Sequence, residues 1–219
     1  MILGDFMDNM IKDSWLFVEG VNDLHVICKL CQHYHLPETF RIKEVGGVDN
    51  VISYLTVYVN EEANKSECVA IVLDADTNFE AKWQTIYQVL QSTSAYDLPE
   101  KIPSTGLVLL PNLLHFPKIG VWIMPNNQSL GMIEDFALSM VSADEPLMSE
   151  VDRTMENLEK KNLQKYSEVH RSKAKIHTYI SWSKEPGKPL GQAITAHVLN
   201  PEAEKARVFI DWLERVFHS

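Results

Sequence analysis

The N-terminal part of the chain alternates between short, mostly apolar runs and longer stretches with apolar residues at helical spacing. The short runs predict strands at 14–18, 41–45, 68–73, 106–110 and 120–124. The longer stretches predict helices at 22–35, about 48–59 and about 79–92. This alternation predicts an α/β fold, with a largely parallel sheet that carries helices on its faces.

The C-terminal part of the chain has a helical pattern. Asn200-Pro201 predicts a helix start, because Asn is a good cap and Pro is tolerated in the first turn. Two apolar stripes lie before and after it, formed by Leu147, Val151, Met155 and Leu158, and by Phe209, Ile210, Leu213, Val216 and Phe217. We expect a single domain over residues 1–219, with a core over about 12–142 and a helical C-terminal extension over about 143–219.

The composition narrows the class of protein. The 219 residues are 45% hydrophobic and 23% charged, which fits one large domain and does not indicate disorder. The N-terminus has no secretory pattern, and no apolar run approaches the ~18 residues of a membrane helix. Three cysteines, an odd and sparse count, argue against a disulfide framework. We therefore expect a cytoplasmic protein without a membrane segment.

The charge is unevenly distributed along the chain. A net charge of −10 argues against a nucleic-acid ligand if it is spread evenly. Residues 153–188, however, contain nine basic and four acidic side chains, a local charge of +5. Such a stretch is compatible both with a solvated helix surface and with nucleic-acid contacts. The candidate contacts are the 93–105 loop and the basic residues Lys160, Lys161, Lys165 and Arg171.

Acidic residues stand at the ends of two predicted buried strands. Glu19 follows strand 14–18, and Asp74 and Asp76 follow strand 68–73. In an open parallel sheet, ligands bind beyond the carboxyl ends of the strands. Side chains two residues apart in an extended segment also point the same way. These three acids are therefore predicted to face one ligand together.

A divalent metal is the ligand that this acidic set favours. Converging carboxylates repel one another and are costly without a cation, and oxygen-only ligands suit Mg²⁺ or Mn²⁺. Asp23, one helical turn after Glu19, is a further candidate ligand, as are Glu134 and Asp135 after the 125–131 turn. Two ions held in this way would activate a water and stabilise the leaving oxygen of a phosphodiester. Each motif alone is also compatible with solvated or helix-capping acids.

Two segments resemble a known family. Segment 16–23, Leu-Phe-Val-Glu-Gly-Val-Asn-Asp, resembles the first TOPRIM motif, an apolar strand that ends in Glu-Gly with an acid shortly after. Segment 72–76, Val-Leu-Asp-Ala-Asp, resembles the second, Asp-x-Asp. The wider order of residues resembles OLD-type TOPRIM nucleases and the small stand-alone TOPRIM proteins that accompany ATPases in anti-phage systems. That order is Glu19, Asp23, Asp74 with Asp76, Glu134 and a late lysine.

The resemblance implies a TOPRIM fold and a metal-dependent nuclease that acts on the phosphodiester bonds of DNA or structured RNA. It implies that the strand-end acids bind metal, that Asp23 and Glu134 support a second ion, and that Glu19 also acts as general base. Lys173, or failing that Lys175, would stabilise charge on the phosphate. An ATPase partner and a role in anti-phage defence are further implications.

A phosphatase of the haloacid-dehalogenase type is one alternative, because that family also places Asp-x-Asp after an apolar strand. It prefers Thr or Val two residues beyond the second Asp, where this chain has Asn78. Glu19-Gly20 would also have no role in such a site. These differences favour the nuclease.

A zinc site is a second alternative. Cys28, Cys31, His33 and His35 are possible soft ligands, and the cysteine spacing fits zinc. The histidines lie too close to the cysteines for a usual finger, and no second ligand pair follows. Because both cysteines fall on the apolar face of the first predicted helix, packing explains them better.

A non-catalytic TOPRIM module held by an ATPase is a third alternative. A pure binding module has no physical need for mutually repelling carboxylates, so the intact acidic set favours an enzyme.

Overall fold

The computed structural model describes residues 13–60 and 66–218 of the chain. The strands are β1 Asp13–Val18, β2 Arg41–Glu44, β3 Ser66–Asp74, β4 Leu107–Leu109 and β5 Lys118–Met124. The helices are α1 Val21–His33, α2 Val48–Asn60, α3 Phe79–Ser92, α4 Ile133–Leu138, α5 Pro146–Lys160, α6 Arg171–Ser181, α7 Leu190–Thr195 and α8 Glu204–Phe217. A 3-10 turn, Glu168–His170, precedes α6.

The described strands form one sheet in the order β2-β1-β3-β5-β4. Strands β2, β1, β3 and β5 run parallel to one another, and β4 runs antiparallel to its neighbour β5. This confirms the predicted α/β fold with a largely parallel sheet. Since Val18 is paired with Val72, β1 and β3 end side by side, and the residues that follow them share one edge of the sheet.

Alternation along the buried strands builds two hydrophobic layers. Phe17 and Ile71 face α2 and α3 on one side of the sheet, whereas Leu16 and Val72 face α1 and α8 on the other. Successive side chains of a strand point to opposite faces, so a sheet covered on both sides needs apolar residues at consecutive positions. The nearly uninterrupted apolar sequence of β3 follows from this requirement.

The start of the last helix differs from the prediction. Asn200-Pro201 does not begin a helix, and α8 starts at Glu204. The Asn200 side chain accepts a hydrogen bond from the backbone N–H of Glu202 (3.0 Å) and so closes a local turn. Asn caps turns and helices by the same kind of bond, which is why the dipeptide alone is ambiguous.

The three cysteines, Cys28, Cys31 and Cys68, carry free thiols. Cys31 packs against the hydrophobic layer under α1, while Cys28 and Cys31 also border a cavity of about 580 Å³ with Phe40 and Ile42. Among the described residues, none of the helices combines the length and the apolar character needed to span a bilayer.

Candidate functional site

A cleft of about 420 Å³ opens beyond the adjacent ends of β1 and β3. The loop after β1, the first turn of α1, the start of α4 and the beginning of α6 complete its walls. Its ionisable residues are Glu19, Asp23, Asp74, Glu134, His170 and Lys173. These ionisable residues come from four segments that are far apart in sequence, and they meet at the sheet edge where ligands of parallel sheets bind.

Glu19 is held at both its backbone and its side chain. Its carbonyl oxygen accepts hydrogen bonds from Gly46 (3.1 Å) and Gly47 (2.9 Å), both with the positive φ that glycine adopts without strain. Its Oε1 accepts the backbone N–H of Asp74 (2.7 Å). Burial raises the pKa of Glu19, and the hydrogen bond from Asp74 and then the nearby charge of Lys82 partly oppose this rise.

Asp74 ends β3 and faces the start of α4. Its Oδ1 accepts the backbone N–H of Ile133 at 2.9 Å. Burial raises the pKa of Asp74 to about 9, and the negative charges of Asp23, Glu19 and Glu134 add to the rise. The side chain is therefore strongly disposed to bind a cation, either a proton or a metal.

Asp23 is one of two almost fully buried acids of the cleft, the other being Glu134. It lies in the first turn of α1 with 4% of its surface exposed, and its Oδ1 has no hydrogen-bond partner. Burial raises its pKa to about 7, with the charges of Glu19 and Glu134 adding to the rise. A buried carboxylate oxygen without a partner is unfavourable, and a bound cation would satisfy it.

Glu134 and Lys173 form an ion pair across the cleft. Glu134 is buried in the first turn of α4, and its Oε1 lies 3.1 Å from Nζ of Lys173 on α6. Lys175, the other candidate, points away from the cleft and pairs with Asp152 on α5 at 2.6 Å. Of the two lysines, only Lys173 lines the cleft.

Asp76 does not line the cleft with Asp74. The strand ends at Asp74, and Asp76 has a φ of 50° while its backbone pairs with Gly131. The two-residue alternation expected from an extended segment therefore stops before Asp76. Its side chain turns toward α3, where Oδ2 lies 2.8 Å from Nζ of Lys82.

In the described part of the chain, no three His, Cys, Asp or Glu side chains are arranged as ready ligands of an ion. The hydrogen bonds above give the reason, because Glu19 and Asp74 face backbone N–H groups while Glu134 faces a lysine. The donor set nevertheless fits Mg²⁺ or Mn²⁺, since it consists of carboxylate oxygens and includes one buried oxygen that lacks a partner. Metal binding would require these side chains to turn toward the ion.

The predicted nucleic-acid contacts lie outside the cleft lining. Arg171 is partly buried and binds Glu159 (2.8 Å), which joins α6 to α5. Lys160 at the end of α5 is 3.5 Å from Glu156. Lys161 and Lys165 are exposed on the segment that follows. These three lysines therefore form an accessible basic surface, whereas Arg171 has a structural contact.

His170 is a cleft residue that the sequence reasoning missed. It ends the 3-10 turn, and its Nδ1 lies 3.1 Å from Oγ of Ser167. Lys173 follows one helical turn later, so both residues reach the same side of the cleft. The His-x-x-Lys spacing at the start of a helix was the available signal.

A family model described as a protein of unknown function (DUF3226) matches residues 13–218. The chain belongs to this family. The match covers all of the elements that build the cleft. No curated protein and no solved structure matches the chain significantly.

The metal-free protein is expected to lose stability as the pH rises. Between the ordinary aspartate pKa of 3.8 and the folded values of about 7 for Asp23 and about 9 for Asp74, the folded chain holds protons that the unfolded chain releases. Stability from these groups is complete below about pH 4 and is lost as the pH passes through both folded values. Thermal melts in EDTA across this range measure the decline.

Asp74→Asn should flatten this decline and raise the melting temperature in EDTA at alkaline pH. A gain of 1 kcal/mol corresponds to about 2–4 °C for a chain of this size. The matched control is Asp152→Asn, which removes an acid outside the cleft and should keep the wild-type pH dependence. A wild-type melting temperature that does not fall with pH would contradict the burial of ionisable acids in the cleft.

Proposed function

We propose that the chain is a TOPRIM-type, divalent-metal-dependent nuclease that hydrolyses phosphodiester bonds in DNA or RNA. One observation carries this proposal: four carboxylates and a lysine meet in one cleft, at the neighbouring ends of two parallel strands. These are the positions of the Glu-Gly and Asp-x-Asp segments that resemble TOPRIM motifs. An ATPase partner and a role in anti-phage defence are expectations that rest on the resemblance alone.

Glu19, Asp23, Asp74 and Glu134 would hold the metal. Divalent ions supply a nucleophile at neutral pH and neutralise charge on the phosphate. The raised pKa values of Glu19, Asp23 and Asp74 support this assignment, because the same burial and repulsion that favour a proton also favour a metal ion. A bound ion would also satisfy the unpartnered Oδ1 of Asp23.

Glu19 would accept a proton from the attacking water, and Lys173 would stabilise negative charge on the phosphate. Oε1 of Glu19 is engaged by the N–H of Asp74, which leaves Oε2 to accept a proton from the attacking water. Burial makes this carboxylate a stronger base than a solvated one. Lys173 is half-exposed at the cleft, so its ammonium can leave Glu134 for a phosphate oxygen.

A cleavage assay tests the proposal. Plasmid DNA, single-stranded DNA and total tRNA are incubated with the full chain in Mg²⁺, in Mn²⁺ and in EDTA. We expect cleavage of at least one substrate that requires metal, is lost in Glu19→Ala and is retained in Asp152→Asn. Metal-independent cleavage, or none by the wild type, would contradict the proposal. No cleavage would favour the non-catalytic module.

The exposed lysines after α5 should bind the nucleic-acid backbone. Replacing Lys160, Lys161 and Lys165 by Glu is expected to weaken binding and flatten its salt dependence, by a slope of about 0.7–0.9 per lost phosphate contact. The control is Lys188→Glu, a basic residue that pairs with Glu185. Fluorescence anisotropy at several salt concentrations measures the affinity and its salt dependence. Unchanged affinity would show that this surface does not bind the nucleic acid.

A further inference from the structure

Lys82 is a partly buried cation near the proposed metal cleft. Its side chain is 18% exposed, and its Nζ lies 2.8 Å from Oδ2 of Asp76. Its positive charge also acts on Glu19, where it partly opposes the rise in pKa that burial causes. A positive charge contributed by α3 is thus already present near Glu19.

Both partners of the Lys82–Asp76 pair are anchored by their backbones. The N–H of Asp76 donates to the carbonyl of Gly131 (2.9 Å), and the N–H of Gly131 donates to the carbonyl of Asp76 (3.1 Å). Lys82 lies in the first turn of α3, whose start is capped by the side chain of Asn78. The pair is therefore a built feature of the fold, unlike an ion pair between two mobile surface side chains.

A second divalent ion at Asp76 would conflict with this arrangement. It would have to displace the ammonium from the carboxylate, and the displaced charge would remain close to the ion because α3 fixes the lysine. Like charges at short distance in a partly buried site repel strongly. Neither Lys82 nor Asp76 lines the cleft that Asp23, Asp74 and Glu134 share with Glu19. An ion held by these cleft acids would therefore leave the Lys82–Asp76 pair in place.

We infer that Lys82 takes the place of a second metal ion, so that the site binds one divalent ion and Lys82 supplies the other positive charge. This inference rests on the proposed function, and it departs from the two-ion expectation. Asp76 then becomes a positioning residue that holds Lys82, and it is not a metal ligand. The positive charge of Lys82 then offsets the negative charges of Asp76 and Glu19 throughout the reaction.

Counting bound Mn²⁺ tests the inference without relying on activity. The number of ions per chain is measured by electron paramagnetic resonance of free Mn²⁺ for the wild type, Lys82→Gln and Lys175→Gln. The Lys175–Asp152 pair is a close match in exposure and length, but it lies outside the cleft. We expect one ion for the wild type, two for Lys82→Gln and one for Lys175→Gln.

Asp76→Asn provides a second variant. Unlike Lys82→Gln, it does not leave the carboxylate of Asp76 without its ion-pair partner. If Asp76 only anchors Lys82, this variant should still bind one ion, with an affinity within about 3-fold of the wild type, whereas losing a group essential to a metal site costs about 10–100-fold. Circular dichroism melts confirm that each variant is folded.

The outcomes separate the inference from the proposed function. Two ions in the wild type, or a large loss of affinity in Asp76→Asn, would overturn the role of Lys82 while leaving a metal site in place. A folded Lys82→Gln variant that still binds one ion would also overturn it. No bound ion in the wild type would overturn both the inference and the proposed metal-dependent function.

Discussion

Asp74→Asn is expected to lose metal-dependent cleavage by at least about 100-fold in kcat/KM, the usual scale for removing one essential electrostatic group from an active site. Asp74 ends β3 and lines the cleft, and burial raises its pKa to about 9. Asparagine preserves the shape and can still accept the hydrogen bond from Ile133. It removes the negative charge that a divalent ion needs.

The same substitution separates loss of function from loss of structure. Because Asp74→Asn removes a repelling charge, the metal-free variant should be at least as stable as the wild type while being inactive. Mn²⁺ should raise the melting temperature of the wild type by linkage and should raise that of the variant less. A variant with wild-type cleavage would show that Asp74 has no part in the chemistry.

Lys173→Ala is expected to lower kcat by about 100-fold, on the scale of one preorganised charge in an active site. Lys173 borders the cleft on α6 and pairs with the buried carboxylate of Glu134. Without it, the buried carboxylate of Glu134 loses its ion-pair partner and becomes available to a metal ion, so Mn²⁺ binding should be retained or become tighter. Steady-state kinetics and Mn²⁺ titration of one preparation measure both effects.

Lys175→Ala is the matched control for this prediction. Lys175 lies on the same helix and pairs with Asp152, away from the cleft. Its removal should leave kcat close to the wild-type value. Equal losses in the two variants would mean that damage to α6 explains both, and a larger loss in Lys175→Ala would reverse the assignment.

The strand-end acids could be predicted from the sequence because they depend on local and regular features. Apolar runs end at Val18 and at Leu73, and parallel strands that end together bring their next residues to one edge. The proximity of Glu19 to Asp74 can therefore be predicted from the sequence. The position of Asp23 near Glu19 can be predicted from helical spacing alone.

The partners of these acids could not be predicted, because they depend on backbone turns and on distant segments. The side chain of Asp76 leaves the cleft since its φ is positive, a conformation that non-glycine residues adopt only occasionally. Its contact with Lys82 spans that turn. The choice of Lys173 over Lys175 depends on how α6 packs against α4 and α5, which no local pattern encodes.

Diffraction from crystals of the full chain grown with Mn²⁺, recorded at the manganese absorption edge, tests the proposed metal site most directly. We predict an anomalous peak in the cleft in contact with carboxylate oxygens of Glu19 and Asp74, and no such peak in crystals of Asp74→Asn. A folded wild-type chain with no anomalous peak in the cleft at millimolar Mn²⁺ would contradict the proposed metal site.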